Sequence, residues 1–409
     1  MKTLTTPSAS LRVASLLALT AALSACGGGG DSNNASAPAP APVPAGPLGI
    51  SFTVPTASQN VLDLGSSTTL VMNASVSGGP VPNGTSVLLT TTPAATATLS
   101  PVSPTTVGGT ATSVLSATPL GSLVVNAAVT SSSQAASANL QIYTRVKPQP
   151  LQVLVPAYFS TSTTSSTTTS PWTTLANGVT SYPNVVVTAI INPSGGTGLL
   201  TSTSKADSTI TKAITAFQAA SSNAKVIGYI GTNSGNGSPS LADIKTTIDT
   251  YISLYPTLSG FFLDNMAVSA NQLSFYMQIY QYIKAKSASY TVVGNPGTFP
   301  DSNYATVTDT LVTYSGTGAG YQGIDPQAGG NTWVYNEANT AQAMMVNSVI
   351  TCNTLQGAIA TANLPRTNTG MVYVTDQPES SPWSTLPSYW TALLNTVDAY
   401  NTGRTKPAC

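Results

Sequence analysis

From Leu151 onward the chain repeats one pattern: a short, nearly unbroken apolar run, then a stretch in which apolar residues return every three or four positions. The runs are "VLVPAYF" (153–159), "NVVVTAIINP" (184–193), "KVIGYIGT" (225–232), "GFFLDN" (260–265), "TVVGNPG" (291–297), "TLVTYSG" (310–316), "AMMVNSV" (343–349) and "GMVYVTD" (370–376). Runs without polar alternation mark strands covered on both faces. Between them, Ile210, Ile214 and Phe217 share one helical face, as do Leu241, Ile244, Ile248, Tyr251 and Tyr255, and then Leu273, Met277, Tyr280 and Ile283. Strand–helix units of this number across about 250 residues predict an α/β fold, a closed (β/α)₈ TIM-type barrel. A doubly wound open sheet is the competing architecture, and the regular spacing favours closure.

The pattern upstream is different. Residues 48–147 hold "ISFTVP", "TTLVMNASV", "TSVLLTTTP", "ATATLS", "TATSVLSA" and "SLVVNAAVT", short Val/Thr-rich segments that alternate and are separated by turn signals such as "SGGPVPNG". They predict a small all-β sandwich, similar in architecture to bacterial immunoglobulin-like spacer domains and without the cysteine pair and tryptophan of the antibody type. Residues 26–47 are Gly, Pro, Ala and Asn with nothing to bury, a tether. Residues 1–25 read as a signal peptide: Lys2, then "VASLLALTAAL", then small residues before Cys26. "LSAC" followed by Gly27 resembles the lipobox of bacterial lipoproteins, which implies lipidation of Cys26 and a membrane partner through that anchor. The absence of Asp after Cys26 points, by the same resemblance, to the outer membrane or cell surface. The barrel takes residues 148–409.

Composition then removes whole classes of chemistry. Thirteen basic and thirteen acidic residues cancel and make up 6% of the chain, so there is no footing for nucleic acid. Histidine is absent, which excludes His-dependent nucleophilic catalysis and His-ligated zinc. No metal and no cofactor is expected; "PSGGTG" (193–198) is a poor match for a dinucleotide turn. In an oxidising compartment Cys352 and Cys409 are candidates for a disulfide, with two free thiols as the alternative. The oligomeric state is left open.

In a barrel the site lies at the C-terminal strand ends. Those ends offer Tyr158, Asn192, Tyr229 with Thr232, Asp264 with Asn265, Asn295, Tyr314 with Ser315, Asn347, and Asp376. Such an amide-rich, aromatic, nearly neutral mouth suits a polysaccharide, held by hydrogen bonds and ring stacking. Trp172 and Trp383, in polar Pro-flanked segments, are the candidates for stacking. The Ser/Thr tract 160–170 reads as a loop at the mouth.

Five segments carry a resemblance. "INPSGGTG", "VIGYIGT", "GFFLDN", "GNPGT" and "VYVTDQPESSPWSTLPSYW", in this order, resemble spherulation-specific family 4, barrel proteins related to microbial endo-α-1,4-galactosaminidases. The resemblance implies an Asp-Glu pair ending the fourth strand and a further Glu on the sixth. This chain keeps the first as Asp264, has Asn265 for the second, and has Ser315 or a neighbour for the third. Hydrolysis by the usual route needs two carboxyl groups flanking the bond. Asp376, ending the eighth strand, is the candidate partner for Asp264; Glu337, Glu379 and Asp325 are loop acids of the same kind. Two functions follow. The first, to which the family resemblance inclines, is a glycoside-hydrolase-like surface lipoprotein acting on an α-linked, amino-sugar-containing exopolysaccharide. The other, favoured by the missing acids, is a non-catalytic polysaccharide-binding or structural envelope protein.

Overall fold

The computed structural model describes residues 46–94, 97–116, 120–159, 161 and 169–409. The signal segment, Cys26, nearly all of the tether and most of the Ser/Thr tract lie outside them. In the sandwich, Leu48–Val54, Ser67–Val76, Thr110–Ser116 and Thr98–Ser100 form one sheet in that order, with the short Gly79–Pro80 beside Ser67–Val76. Val61–Asp63, Gln134–Arg145, Gly121–Ser131 and Val87–Thr92 form the other. Alternate residues point inward, so Leu70, Met72, Leu89, Val125 and Ile142 make a common core. Gln134–Arg145 is absent from the segments the pattern singled out. Its alternate positions are filled largely by Ala and Ser ("QAASANLQIYTR"), which weakens the period-2 signal.

Eight parallel strands close into a barrel: β1 (Gln152–Pro156), β2 (Val187–Ile191), β3 (Ala224–Gly231), β4 (Gly260–Asp264), β5 (Thr291–Gly294), β6 (Thr310–Thr317), β7 (Gln342–Asn347) and β8 (Met371–Val374). β8 pairs with β1 and completes the ring. The expected closed barrel, rather than the open sheet, is what the chain forms. Leu154, Ile190, Ile227, Phe262 and Met345 fill its interior. Outside pack α1 (Pro171–Ser181), α2 (Ser208–Ala220), α3 (Leu241–Leu254), α4 (Leu273–Lys286), the single turn α5 (Gly318–Tyr321), α6 (Cys352–Ala362) and α7 (Trp390–Thr402). After β5 a 3₁₀ turn, Ser302–Thr306, stands where a helix is expected. The helices begin where capping chemistry lets them. Asp207 accepts from two backbone N–H groups of α2, and Ser240 with Asp243 forms a capping box on α3. The buried face of α4 is Tyr276, Ile279 and Ile283. The expected row Leu273, Met277, Tyr280 and Ile283 is one position out of phase, and its first three members are only partly covered.

Cys352, the first residue of α6, is joined by a disulfide to Cys409.

The sandwich docks on the barrel at the segments that lead into β7 and β8, that is, at the N-terminal rim. Arg366 forks onto Asp325 (2.9 and 2.7 Å), and its remaining terminal nitrogen reaches the carbonyl of Ala57 and the Asn60 side chain of the sandwich. Asn60 and Gln327 exchange side-chain hydrogen bonds at 3.2 and 3.0 Å. Arg145 holds Asp63 at 2.6 Å and reaches Asn368 of the barrel. Behind them Val61, Val334 and Tyr335 are buried together, with the Tyr143 and Tyr335 rings 5.3 Å apart.

Arg366→Ala removes the shared donor of this seam and leaves the Asp325 carboxylate and the Asn60 side-chain oxygen without it. It should cost about 2 kcal/mol, less than a fully buried pair because both partners keep some water. Calorimetry of the variant is expected to show the sandwich and barrel melting as two separated transitions instead of one. The guanidinium also holds the Asp325 carboxyl below the usual range. A depressed carboxylate contributes stability above its unfolded value, about 3.9, and loses it as pH falls through the lower folded value, so acid should loosen the seam more in wild type than in the variant, where only the backbone N–H groups still hold the carboxylate.

Candidate functional site

Strand β4 ends on Asp264 because Gly260–Leu263 are buried on both faces and the chain meets water at the C-terminal rim. Its half-buried carboxylate accepts from two uncharged donors on the flanking strands. Tyr229 Oη, from β3, donates to Oδ2 at 2.7 Å, and Asn295 Nδ2, just past β5, donates to Oδ1 at 2.6 Å. Both oxygens accept, which fits the ionised, acceptor-only form. Below, the Asp264 carbonyl accepts from Thr232 N and Oγ1, and Thr232 shares a hydrogen bond with the buried Tyr276 hydroxyl.

Tyr229 is fixed from three sides. Its ring stacks on Phe262 with centroids 6.1 Å apart, meets Tyr158 edge-on at 5.5 Å, and leans on Gly198. A Cβ at Gly198 would meet the Tyr229 ring at 2.4 Å, and φ there is +70°. The turn 192–198 therefore serves to let backbone lie against the tyrosine. Burial, reinforced by the Asp264 charge, raises the phenol pKa of both Tyr229 and Tyr158, so both remain hydrogen-bond donors at any ordinary pH. Trp383 and Tyr158, both half-buried, pack on the cluster that fills the barrel interior.

Beside Asp264 lies a cleft of 410 Å³ lined by Ser234, Asn265, Met266, Val268, Asn295, Pro296, Gly297 and Ser315. Asn295 belongs to both places: its amide nitrogen holds Asp264, and its oxygen is buried without a partner. A register shift between Val312 and Tyr314 turns Ser315 into the cleft. Asn265 sits at φ +50°, a left-handed conformation that Asn tolerates better than Glu, so its identity has a backbone reason as well as a chemical one.

The mouth thus collects Tyr158, Tyr229, Asp264, Asn265, Asn295 and Trp383. Trp172 is elsewhere. Ser170 caps α1 and Pro171 opens it, so Trp172 points inward and packs edge-on against Phe159 and Phe217, 4% exposed. Tyr314 is displaced by the same shift that presents Ser315; its hydroxyl donates to the Thr317 carbonyl and its ring packs on Tyr321. Asn192 spends its side chain on its own turn, through Gly196 and Ser194. Asp376 accepts from the Ser388 backbone and hydroxyl and from Gln377, tying down the segment before α7. Asp325 lies in the seam on the opposite rim, and Glu337 precedes β7 on that rim too. Thr232, expected at the rim, sits directly beneath Asp264; Ser234 and Gly198 were not singled out from sequence, and the glycine-rich turn held the signal for Gly198.

A larger depression of 580 Å³ opens at the strand starts. Its charged residues are already used: Lys225 on the Ser222 carbonyl, Asp309 on Lys284 and the Val292 N–H. Among the described residues no three His, Cys, Asp or Glu side chains gather to hold a metal, and no helix is long and apolar enough to cross a membrane.

The two tryptophans make opposite predictions. Trp172→Ala should cost about 3–5 kcal/mol of stability, the usual penalty for emptying an aromatic core site. Trp383→Ala should change the melting temperature little and weaken retention of polysaccharide. Thermal denaturation and a bead-retention assay on the two variants separate these outcomes.

A family model described as spherulation-specific family 4 matches residues 152–397. Spherulin-4 of Physarum polycephalum is 30% identical over 268 residues, which covers 63% of this chain and 73% of that protein. Among solved structures, Aspergillus clavatus Sph3 in complex with GalNAc aligns at TM-score 0.49 and 21% identity, over 61% of this chain and 98% of that one. A family 39 glycoside hydrolase from Bacteroides cellulosilyticus aligns at TM-score 0.38 and 10% identity, over 84% of this chain and 82% of that one.

Proposed function

The chain belongs to spherulation-specific family 4, and on that footing we propose that its barrel holds an α-linked, amino-sugar-containing exopolysaccharide in the mouth around Asp264 without cutting it. The observation that carries this reading is the carboxylate inventory of the mouth. Cleavage needs an acid and a nucleophile or base on either side of the bond. Here Asp264 has Asn265 and Ser315 where the family resemblance calls for Glu, and among the described residues no carboxylate lines the adjoining cleft. The other acid first paired with Asp264, Asp376, is engaged by Ser388 and Gln377. What the mouth does offer is amides, hydroxyls and aromatic rings, the groups that bind sugars.

Hydrolysis is the second reading. One feature favours it: burial first, and with it the Glu379 charge, raises the Tyr314 phenol within β6. A loop acid could then reach the rim from β8.

We place the module outside the cell, anchored through Cys26, with residues 26–47 as tether. The lipobox-like "LSAC" supports this, and the neutral, Ser/Thr-rich surface suits it.

The test is direct. The purified full chain is incubated with α-1,4-galactosamine polymer, and bead retention and new reducing ends are followed together. Retention with no release is expected. Release of oligosaccharides by wild type that vanishes in Asp264→Asn would overturn the reading in favour of hydrolysis.

A further inference from the structure

We infer that the flank of the barrel outside β6 and β7 is the face through which two copies of this chain pair, each seating Ile350 in a groove of the other. The groove exists because one helix is short. α5 is a single turn, whereas α6 runs for 11 residues, so part of α6 has no helix beside it. A groove of 600 Å³ opens there, between Gly318, Ala319 and Gln322 on one side and Asn353, Gly357 and Ala358 of α6 on the other. Among the described residues no charged side chain lines it, so two identical faces meet without repulsion. Ile350 stands at its edge. It is the most exposed large apolar side chain of the described residues, at 79%, and the loop that presents it is pinned. Ser348 N–H donates to the Gln377 carbonyl at 2.9 Å, Val349 N–H to the Thr375 carbonyl at 3.0 Å, and the Tyr389 hydroxyl to the Val349 carbonyl at 2.6 Å. An apolar knob on a fixed backbone loses little freedom when it is buried.

Gly357 is the second observation. Glycine inside a helix is destabilising relative to alanine, so it calls for a packing reason. Gly178 of α1 has one: a Cβ there would meet Trp390 Nε1 at 2.5 Å. A Cβ at Gly357 would meet nothing within 4 Å. No described residue asks for the glycine, and the close approach it permits comes from outside the chain. A second copy fits this face because knob and groove lie side by side on it. Under a two-fold axis each fills the other, and the pair closes. Gln322 and Asn353 are exposed on the two walls, with side-chain amides that no other described residue engages. An amide both donates and accepts, so identical groups can bond across the axis. The groove adjoins the C-terminal rim, because α5 follows β6 and Ile350 follows β7. Pairing therefore puts two mouths on one particle, and one long polymer can occupy both. That consequence rests on the binding reading above; the pairing itself does not.

Sedimentation velocity on the purified full chain tests the pairing without any polymer. Wild type should pass from one chain to two as its concentration rises through about 10–100 µM, the weak range of a small interface. Ile350→Asp should weaken pairing at least about 100-fold, since two isoleucines lose their burial at once, and should leave the melting temperature unchanged. Gly357→Leu fills the groove and should weaken pairing as strongly, while the melting temperature rises slightly because a helix former replaces glycine. An equimolar mixture of the two variants keeps one intact knob and one intact groove, and should recover part of the association. The inference is overturned by a wild type that stays a single chain at about 100 µM, by association that survives both substitutions, or by a mixture that recovers nothing. A wild type that pairs as expected yet retains no polymer leaves the pairing standing and removes the binding reading.

Discussion

Asn265→Glu combined with Ser315→Glu is expected to give the barrel a hydrolytic turnover well above that of the native chain. Asp264 is already in place and buttressed, and both substituted positions line the cleft beside it. The β6 register shift aims position 315 into that cleft, and the Ser315 N–H is pinned to the Gly297 carbonyl, so a longer side chain there starts from a fixed backbone. A retaining pair needs its carboxyl groups about 5 Å apart and an inverting pair about 6.5–9.5 Å; the 410 Å³ cleft has room for a carboxylate in that range. A positioned general acid is worth about 10²–10⁴-fold in rate, so reducing ends should rise from background to a signal easily read by mass spectrometry. Placing Glu at the left-handed position 265 costs roughly 1–2 kcal/mol, which a domain of ordinary stability survives. The single variants should stay near background. A double variant that folds and retains polymer yet releases nothing would show that the missing acids are not what separates holding from cutting.

Asp264→Ala is expected to abolish retention and to lower stability at the same time. The variant removes the acceptor of two half-buried donors, Tyr229 Oη and Asn295 Nδ2. A buried donor left unmet costs about 1–3 kcal/mol; with water reaching this rim, about 2 kcal/mol in total is expected, a fall of a few degrees in melting temperature. Affinity should drop at least about 100-fold, since the charge and its lone pairs go together. Tyr229→Phe is the control. It keeps the ring stacked on Phe262 and against Gly198 and removes only the donor, so it should lose about tenfold in affinity and about 1 kcal/mol in stability. Unchanged retention in Asp264→Ala would remove Asp264 from the site altogether.

The barrel was legible because its strands are covered on both faces: runs such as "VVVTAII" and "GFFLD" have no solvent side to interrupt them. Asp264, Tyr229 and Asn295 were legible for the complementary reason, since a polar residue ending such a run must leave the interior at the rim. Where reading failed, the cause was local geometry without a one-dimensional trace. The shift after Val312 exchanged Tyr314 for Ser315. A Ser-Pro helix start carried Trp172 inward, although its neighbours in sequence are those of a loop. In α4 the aromatic residues Tyr276 and Tyr280 compete for the same face, and only packing decides between them. The seam between sandwich and barrel was invisible, because Arg366 meets Ala57 across 309 positions of chain, a distance no periodicity reports.

That seam has a mechanical meaning. A polymer held at the mouth and a sandwich bonded to the other rim pull on opposite ends of a cylinder. Tension then runs lengthwise through eight strands, each laced to two neighbours, and the load is shared. At the base it passes to two guanidinium groups, Arg366 and Arg145, a few amides and the small apolar patch around Tyr335. If this molecule is stretched, that joint is the fuse, and the grip around Asp264 should outlast it.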